Sequence, residues 1–277
     1  MKNYLNVRGK LLDCSTPMVM GILNITPDSF YDGGNFENES SMLNYAHKMI
    51  DEGAKIIDVG AQSTRPGAEL VSSKNEWLRL QKPLALLRKT FPEVIFSVDT
   101  FYAEVAANAA QEGADIINDI SGGTMDMKMF ETIGRHKIPY VLMHIQGNPQ
   151  SMQLDPTYKD VVKEVMDFFS DSIFRLNAAG VTDIIIDPGF GFGKTTDHNF
   201  KLLNNLDLFK IFDRPILAGL SRKSMVNKVL GTKPENALNG TTVLNTLALL
   251  KGANILRVHD VKEAVETIKL TGKTSNK

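Results

Sequence analysis

One hydrophobic phrase recurs along this chain: a Gly-Ala pair, one further residue, then branched apolar residues that stop at a polar side chain. It reads Gly53-Ala54-Lys55-Ile56-Ile57-Asp58, Gly113-Ala114-Asp115-Ile116-Ile117-Asn118 and Gly252-Ala253-Asn254-Ile255-Leu256-Arg257. A looser version runs from Gly180-Val181-Thr182-Asp183 into Ile184-Ile185-Ile186-Asp187. Glycine closes a helix by adopting the left-handed conformation at its C-terminal cap. A short β-branched run without apolar–polar alternation marks a strand buried on both faces of a parallel sheet. The segments before the glycines carry helical spacing: Met42, Tyr45, Ala46, Met49 and Ile50 share a face, as do Val105, Ala106 and Ala109. Further strands are predicted at Met18 to Asn24, Val94 to Val98, Tyr140 to His144 and Pro215 to Leu220. Eight strands, each followed by a helical pattern, predict an α/β chain closed as a single-domain (β/α)₈ TIM barrel over residues 1–277. A doubly wound open sheet gives similar local signals, and the count of eight separates the two.

Some stretches interrupt the pattern. Residues 1–15 read as a peripheral N-terminal extension and 272–277 as a disordered tail. Pro83 falls inside the apolar helical stretch from Trp77 to Leu87 and is expected to kink it or to start a second segment. Turn formers from Gln146 to Tyr158 predict a loop after the fifth strand.

In such barrels the chemistry lies at the C-terminal ends of the strands. The predicted strands end in Asn24, Asp58, Asp99, Asn118 with Asp119, His144, Asp187, Ser221, and Arg257 with His259. Asp and Asn favour caps and turns, which accounts for single positions but not for nearly every strand doing so. Asp58, Asp119 and His144 are read as rim hydrogen-bonders rather than ligand contacts. The loops beyond are unusual as well: Thr26 to Phe30 with Asp32-Gly33-Gly34, Ser63 to Gly67, Pro188 to Lys194, and Ser221 to Ser224. Gly-rich loops carrying Phe and Arg suit mobile lids.

Composition narrows the function classes. The 277 residues are 43% apolar and 23% charged, a globular balance. No stretch approaches the roughly 20 apolar residues of a membrane helix, and Met1 to Lys10 lacks the apolar block of a signal peptide. Cys14 is the single cysteine, so no intrachain disulfide or multi-cysteine zinc site forms, and a reducing cytoplasmic location is expected. A net charge of −1 without a basic run argues against a nucleic-acid partner.

At its loops the sequence resembles the dihydropteroate synthases. The segments that carry the resemblance are Gly21 to Phe30, Ser63-Thr64-Arg65-Pro66-Gly67, Ser97-Val98-Asp99-Thr100 and Ile116-Ile117-Asn118-Asp119. They continue through Asp187 to Lys194, Ser221-Arg222-Lys223-Ser224 and Arg257-Val258-His259-Asp260. Together they span about Pro17 to Leu270, in the family's order. Gly60-Ala61-Gln62 departs from the family's usual Gly-Gly-Glu, with an expected effect on loop packing.

The resemblance implies the fold predicted above and condensation of a dihydropterin pyrophosphate with para-aminobenzoate, releasing pyrophosphate. It implies that Asp187 accepts both hydrogens of the pterin's guanidine-like edge, a geometry suited to a carboxylate. Asn118, Asp99, Lys223 and Gly219 would complete the polar ring of that pocket, with Ile120 and Met143 against the flat heterocycle. Arg257, His259 and Arg65 would hold the diphosphate. Asn24 would coordinate a Mg²⁺ cofactor, an ion that prefers oxygen ligands and keeps several waters. Phe190, Thr64, Arg65, Lys223 and Ser224 would shape the aminobenzoate pocket. By the same resemblance Asp99, Lys223, Arg257 and His259 would carry the catalytic roles with no covalent nucleophile, and a homodimer through outer helices is implied.

Rival readings are weaker. Gly193-Lys194-Thr195 hints at a phosphate-binding loop, but Pro188 stands where its first glycine belongs. A Schiff-base lysine at Lys223 needs a depressed pKa that nothing in the sequence reveals. A pterin-dependent methyltransferase would lack the aminobenzoate and diphosphate loops. A non-catalytic pterin binder would have lost Asn24, Arg65, Lys223 or His259.

Overall fold

The branched runs form strands, and the Gly-Ala steps form the helix ends before them. The computed structural model describes residues 4–25, 36–62 and 70–274, with backbone only for 36–38. The described elements are β1 Tyr4–Val7, β2 Lys10–Asp13, β3 Met18–Asn24, α1 Phe36–Asp51, β4 Ile56–Gly60, α2 Ser73–Thr90, β5 Ile95–Asp99, α3 Ala103–Glu112, β6 Ile116–Asp119 and α4 Met129–His136. They continue with β7 Tyr140–Met143, α5 Val161–Ala178, β8 Ile184–Asp187, α6 Thr196–Asn204, β9 Leu217–Ala218, α7 Ser224–Leu230, α8 Leu238–Leu250, β10 Ile255–Val258 and α9 Val261–Thr274. Gly113, at φ 104°, caps α3 in the left-handed region that the repeated phrase requires.

Strands β3 to β10 pair in parallel in the order β8-β7-β6-β5-β4-β3-β10-β9. A bridge between Ile186 and Ile216, with Ile186 N–H donating to Pro215 O at 2.9 Å, joins the two outer strands. The result is an eight-stranded parallel α/β barrel with helices outside, the predicted TIM-barrel class.

Strand parity divides every strand into two faces. Met18, Met20, Ile56, Ile116, Val141, Ile185, Leu217 and Ile255 form one buried cluster, the apolar filling of the barrel. The residues between them, such as Val19, Ile57, Phe96, Ile117, Leu142 and Leu256, pack outward in a second cluster with the helices. Each side chain two positions further along an inward face therefore lies directly above the filling. Those positions hold Asp58, Asn118, Met143, Asp187, Gly219 and Arg257.

Four expectations need correction. Residues 4–13 are not merely peripheral: β1 and β2 form an antiparallel hairpin whose Leu5 and Val7 join the barrel filling from below, with Cys14. Arg8 pairs with buried Asp115 at 2.6 Å, and Arg88 pairs with the same carboxylate. Second, α2 runs unbroken through Pro83. The proline removes one N–H from the ladder, while the buried stripe Leu80, Leu84 and Leu87 holds the helix to the barrel across it. Third, the seventh barrel strand is two residues long and is followed by two helices, α7 and α8, rather than one. Fourth, α9 reaches Thr274, so residues 272–274 are helical and not tail. The loop predicted from Gln146 to Tyr158 has no helix or strand.

Candidate active site

The parallel register sets the site side by side. Asn24 lies opposite Gly60, Gly60 opposite Asp99, and Asp99 opposite Asn118. Across β7 and β8, Met143 lies opposite Asp187. All stand at the C-terminal mouth, above the apolar filling.

Arg257 is the hub of the polar layer. Its Nε donates to Asp58 Oδ2 at 2.6 Å and its Nη2 to Asp99 Oδ2 at 2.8 Å. Asn118 Nδ2 donates to the same Asp58 oxygen at 3.0 Å. Asp58, fully buried, thus fixes a guanidinium and a carboxamide from two other strands. Burial works against the Arg257 charge, but Asp58 and Asp99 outweigh it and raise its pKa. Burial pushes the Asp99 carboxyl up to about 7 against the pull of Arg257, and neighbouring Asp58 adds to the rise.

Asp187 holds the opposite wall. One carboxylate oxygen accepts the Gly189 N–H at 2.8 Å, and the other faces the bare backbone of Gly219. Burial raises its pKa, and Lys223, Arg257 and Lys194 oppose the rise. The Lys223 ammonium lies 4.1 Å from the ring centre of Phe192, a cation–π contact. Burial and the charge of Arg257, which the sequence could not reveal, depress Lys223 to about 8. An apolar shelf of Phe101, Ile120, Met143, Ile145, Met152 and Phe192 adjoins these groups.

At the third wall, His259 Nδ1 lies 3.0 Å from Ser221 Oγ. Burial and the cations Arg257 and Arg222 lower the imidazole to about 4, leaving it neutral at pH 7. Arg222 itself is held by Asp260 through two bonds, at 3.1 and 2.6 Å. Ser224 is exposed at the start of α7.

The structure thus brings Asp99, Asn118, Ile120, Met143, Asp187, Gly219, Lys223, Arg257 and His259 to one mouth, with Asn24 beside Asp99. Thr64, Arg65 and the expected closing loop from Asp28 to Phe30 lie outside the described residues. Phe190 is not an open wall: it is 1% exposed and packs in the strand–helix core, and Phe192 is the one facing the shelf. The expected lid from Pro188 to Lys194 is strapped down. Lys194 Nζ, buried, reaches the carbonyls of Gly189 and Phe192 at 3.0 Å each and His144 Nδ1 at 2.9 Å. Gln153 and Tyr158 bond the carbonyls of Gly191 and Gly193. His144 is a satisfied rim histidine, as expected, and burial with Lys194 lowers its pKa well below the usual value. Asp119 faces outward, accepting from Ser121, Gly123 and Tyr140, as its parity requires.

Sequence reasoning missed Lys194 and Glu76. Glu76, fully buried on α2 near Thr100 and Arg79, is raised by burial to about 8. Helical spacing was the available signal, since Glu76 shares a face with Leu80, Leu84 and Leu87.

For a metal, the described residues hold no cluster of three or more His, Cys, Asp and Glu arranged to bind one. A small vacant corner exists instead: a Cβ at Gly60 would sit 3.7 Å from Asn24 Oδ1 and 3.5 Å from Asp99 Cβ. That corner fits an oxygen-seeking cation that takes one protein carboxamide and draws its other ligands from substrate and water.

Fold and site together define a barrel enzyme that binds a flat, donor-rich heterocycle on carboxylate and amide acceptors beside a cationic anion pocket. Residues 20–259 match the family described as pterin binding enzyme. The dihydropteroate synthase of Escherichia coli K12 is 44% identical over 269 residues, covering 96% of this chain and 95% of that protein. That of Haemophilus influenzae is 42% identical with full coverage of both. Among solved structures, the Yersinia pestis dihydropteroate synthase in a sulfonamide drug complex superposes with a TM-score of 0.92 at 42% identity, covering 99% of this chain and 100% of that one. The chain belongs to the pterin binding enzymes and, among them, to the dihydropteroate synthase family.

Proposed function

We infer that this chain joins 6-hydroxymethyl-7,8-dihydropterin pyrophosphate to para-aminobenzoate, giving 7,8-dihydropteroate and pyrophosphate in folate synthesis. The observation that carries the reading is the convergence of Asp187, Asn118 and Arg257 from three strands, with Lys223 from the segment between β9 and α7, onto one mouth. Solved relatives support it: a Xanthomonas albilineans dihydropteroate synthase was determined with 4-aminobenzoic acid and another with 7,8-dihydropteroate.

Asp187 accepts the pterin's amine and ring N–H on its outward oxygen and its neighbour, while Asn118 pairs with the mixed donor–acceptor edge. Lys223 donates to the ring carbonyl, and Ile120 with Met143 packs against the ring face. Gly219 leaves room because no side chain stands before Asp187. Arg257 and His259 hold the diphosphate as the methylene carbon–oxygen bond breaks, and Arg65 would join them as the family resemblance implies; the leaving group takes the electron pair, so donors fixed around it lower the barrier. The electron-rich pterin spreads the positive charge, and the para-aminobenzoate amine then forms the carbon–nitrogen bond and loses a proton. Asp99, held against Arg257, keeps that guanidinium aimed at the mouth. Asn24 would hold Mg²⁺, whose chemistry is neutralisation of diphosphate charge. Ser224 and Lys223 with Phe192 bound the aminobenzoate side, and Thr64 and Arg65 would join them as the family resemblance implies.

No described helix is long and apolar enough to cross a membrane, and a cytoplasmic location accords with the single cysteine. A homodimer is supported by an exposed apolar stripe on α8, Val243, Leu247 and Leu250. Patches of this kind mark association surfaces, and sedimentation equilibrium giving the monomer mass would refute the dimer. The reaction is tested by pyrophosphate release that requires both substrates and Mg²⁺; release without the aminobenzoate, or none with both, refutes the reading.

A further inference from the structure

Two hydrogen bonds tie the ends of adjacent strands together through one hydroxyl. Ser221, just after β9, accepts the backbone N–H of His259 at 3.2 Å and lies 3.0 Å from the Nδ1 of the same residue. Ser221 is 5% exposed, and among the described residues these are the partners of its hydroxyl. A serine hydroxyl carries one hydrogen and two lone pairs. One lone pair is used by the backbone N–H. If Nδ1 were also protonated, the hydroxyl would accept twice and its own hydrogen would be left buried without an acceptor among the described residues, which is costly. The satisfied arrangement is the reverse: Oγ–H donates to an unprotonated Nδ1.

We propose that Ser221 is a positioning residue that locks His259 as the Nε2–H tautomer, so that a neutral imidazole presents a single donor to the diphosphate of the substrate. This rests on the reading of His259 as a diphosphate contact. The charged groups around the ring agree. Arg257, Arg222 and Lys223 disfavour a further positive charge there, and Asp260, the carboxylate nearest in sequence, is already engaged by Arg222. Burial and those cations hold the imidazole neutral across the physiological range. A neutral donor has a specific value in such a pocket: it adds a hydrogen bond that needs no proton uptake, and it keeps its strength through neutral pH. The second hydrogen bond, to the backbone N–H of His259, fixes the ring's attachment point, so one hydroxyl sets both the tautomer and the aim.

The test is heteronuclear NMR of imidazole-labelled protein combined with steady-state kinetics. The chain has five histidines, and the spectrum of H259Q assigns the His259 signals. The parent protein should show His259 protonated at Nε2 alone at pH 7. Ser221→Ala should produce a mixture of tautomers and raise KM for the pterin diphosphate about tenfold, the effect of one misdirected hydrogen bond, with KM for para-aminobenzoate unchanged. Ser221→Thr, which keeps the hydroxyl, should restore both the tautomer and KM. A parent imidazole protonated at Nδ1, or a Ser221→Ala spectrum identical to the parent, overturns the proposal. So does a scrambled tautomer in Ser221→Ala with unchanged KM. H259Q separates the two readings: if it leaves KM for the diphosphate substrate unaltered, the diphosphate assignment itself fails, whatever the tautomer.

Discussion

Asp58 should matter as much as any residue that touches substrate, although the hydrogen bonds it makes are to other protein groups. Its Oδ2 receives both Arg257 Nε and Asn118 Nδ2, and its Oδ1 has no partner among the described residues. Asp58→Ala removes the buried anion that compensates a largely buried guanidinium. Breaking such a pair by deleting one partner costs about 3–5 kcal/mol. In a chain of this size each kcal/mol moves the melting temperature by roughly 2–4 °C, so a fall on the order of 10 °C is expected. The catalytic cost follows from aim. Among the described residues Arg257 keeps only its bond to Asp99, and Asn118 loses its anchor. Hydrogen bonds to charged groups contribute about 1.5–3 kcal/mol, which corresponds to roughly 10- to 150-fold in kcat/KM at 1.36 kcal/mol per decade. Asp58→Asn keeps the volume and one acceptor, and should fall between parent and alanine variant on both scales. Differential scanning calorimetry and steady-state kinetics on the two variants decide the matter. A melting temperature within 1–2 °C of the parent (under about 1 kcal/mol by the same conversion) together with unchanged kcat/KM would refute the positioning role.

Other expectations follow from the same geometry. Arg257→Ala should slow turnover far more than it weakens binding of free pterin, because its proposed partner is the departing diphosphate; a larger effect on pterin affinity, measured by titration calorimetry, would contradict this. Glu76 has a folded pKa of about 8 against an ordinary value of 4.5, so the fold favours its proton, and stability is lost as pH rises from about 4.5 through 8. Glu76→Gln should therefore be more stable than the parent at pH 9, by on the order of 4 kcal/mol, and equal to it near pH 4; parallel urea-melt curves across that range would rule the explanation out. Sulfonamides, which mimic para-aminobenzoate, should raise its apparent KM without changing kcat; a purely non-competitive pattern would count against the shared pocket.

Much of this arrangement was legible in the chain because strand parity is a strict code. Ile56-Ile57-Asp58 and Ile116-Ile117-Asn118 place the polar residue two steps after an inward isoleucine, so both must enter the mouth. The same parity turns Asp119 outward to Ser121 and Tyr140, in keeping with its reading as a rim residue. Asp58 is a hydrogen-bonder of the rim as read, but its partners were hidden: it receives donors from β6 and β10, a relation between strands that no local pattern records. Loop residues obey no such period. Phe190 and Phe192 look equivalent between glycines, yet one enters the core and the other supports Lys223, because the positive φ of Gly191 turns the chain between them. Lys194 was invisible for a related reason, since its acceptors are mostly backbone carbonyls. The hairpin at the barrel floor was missed because two four-residue strands carry little periodicity of their own.

Asp187 as the anchor of the heterocycle is the claim on which the rest depends, and calorimetric titration of a pterin into Asp187→Ala tests it directly. Losing a charge-assisted bidentate contact should weaken binding by about a hundredfold or more, with the fold intact by circular dichroism. Parent-like affinity in a folded Asp187→Ala protein would contradict the site as described.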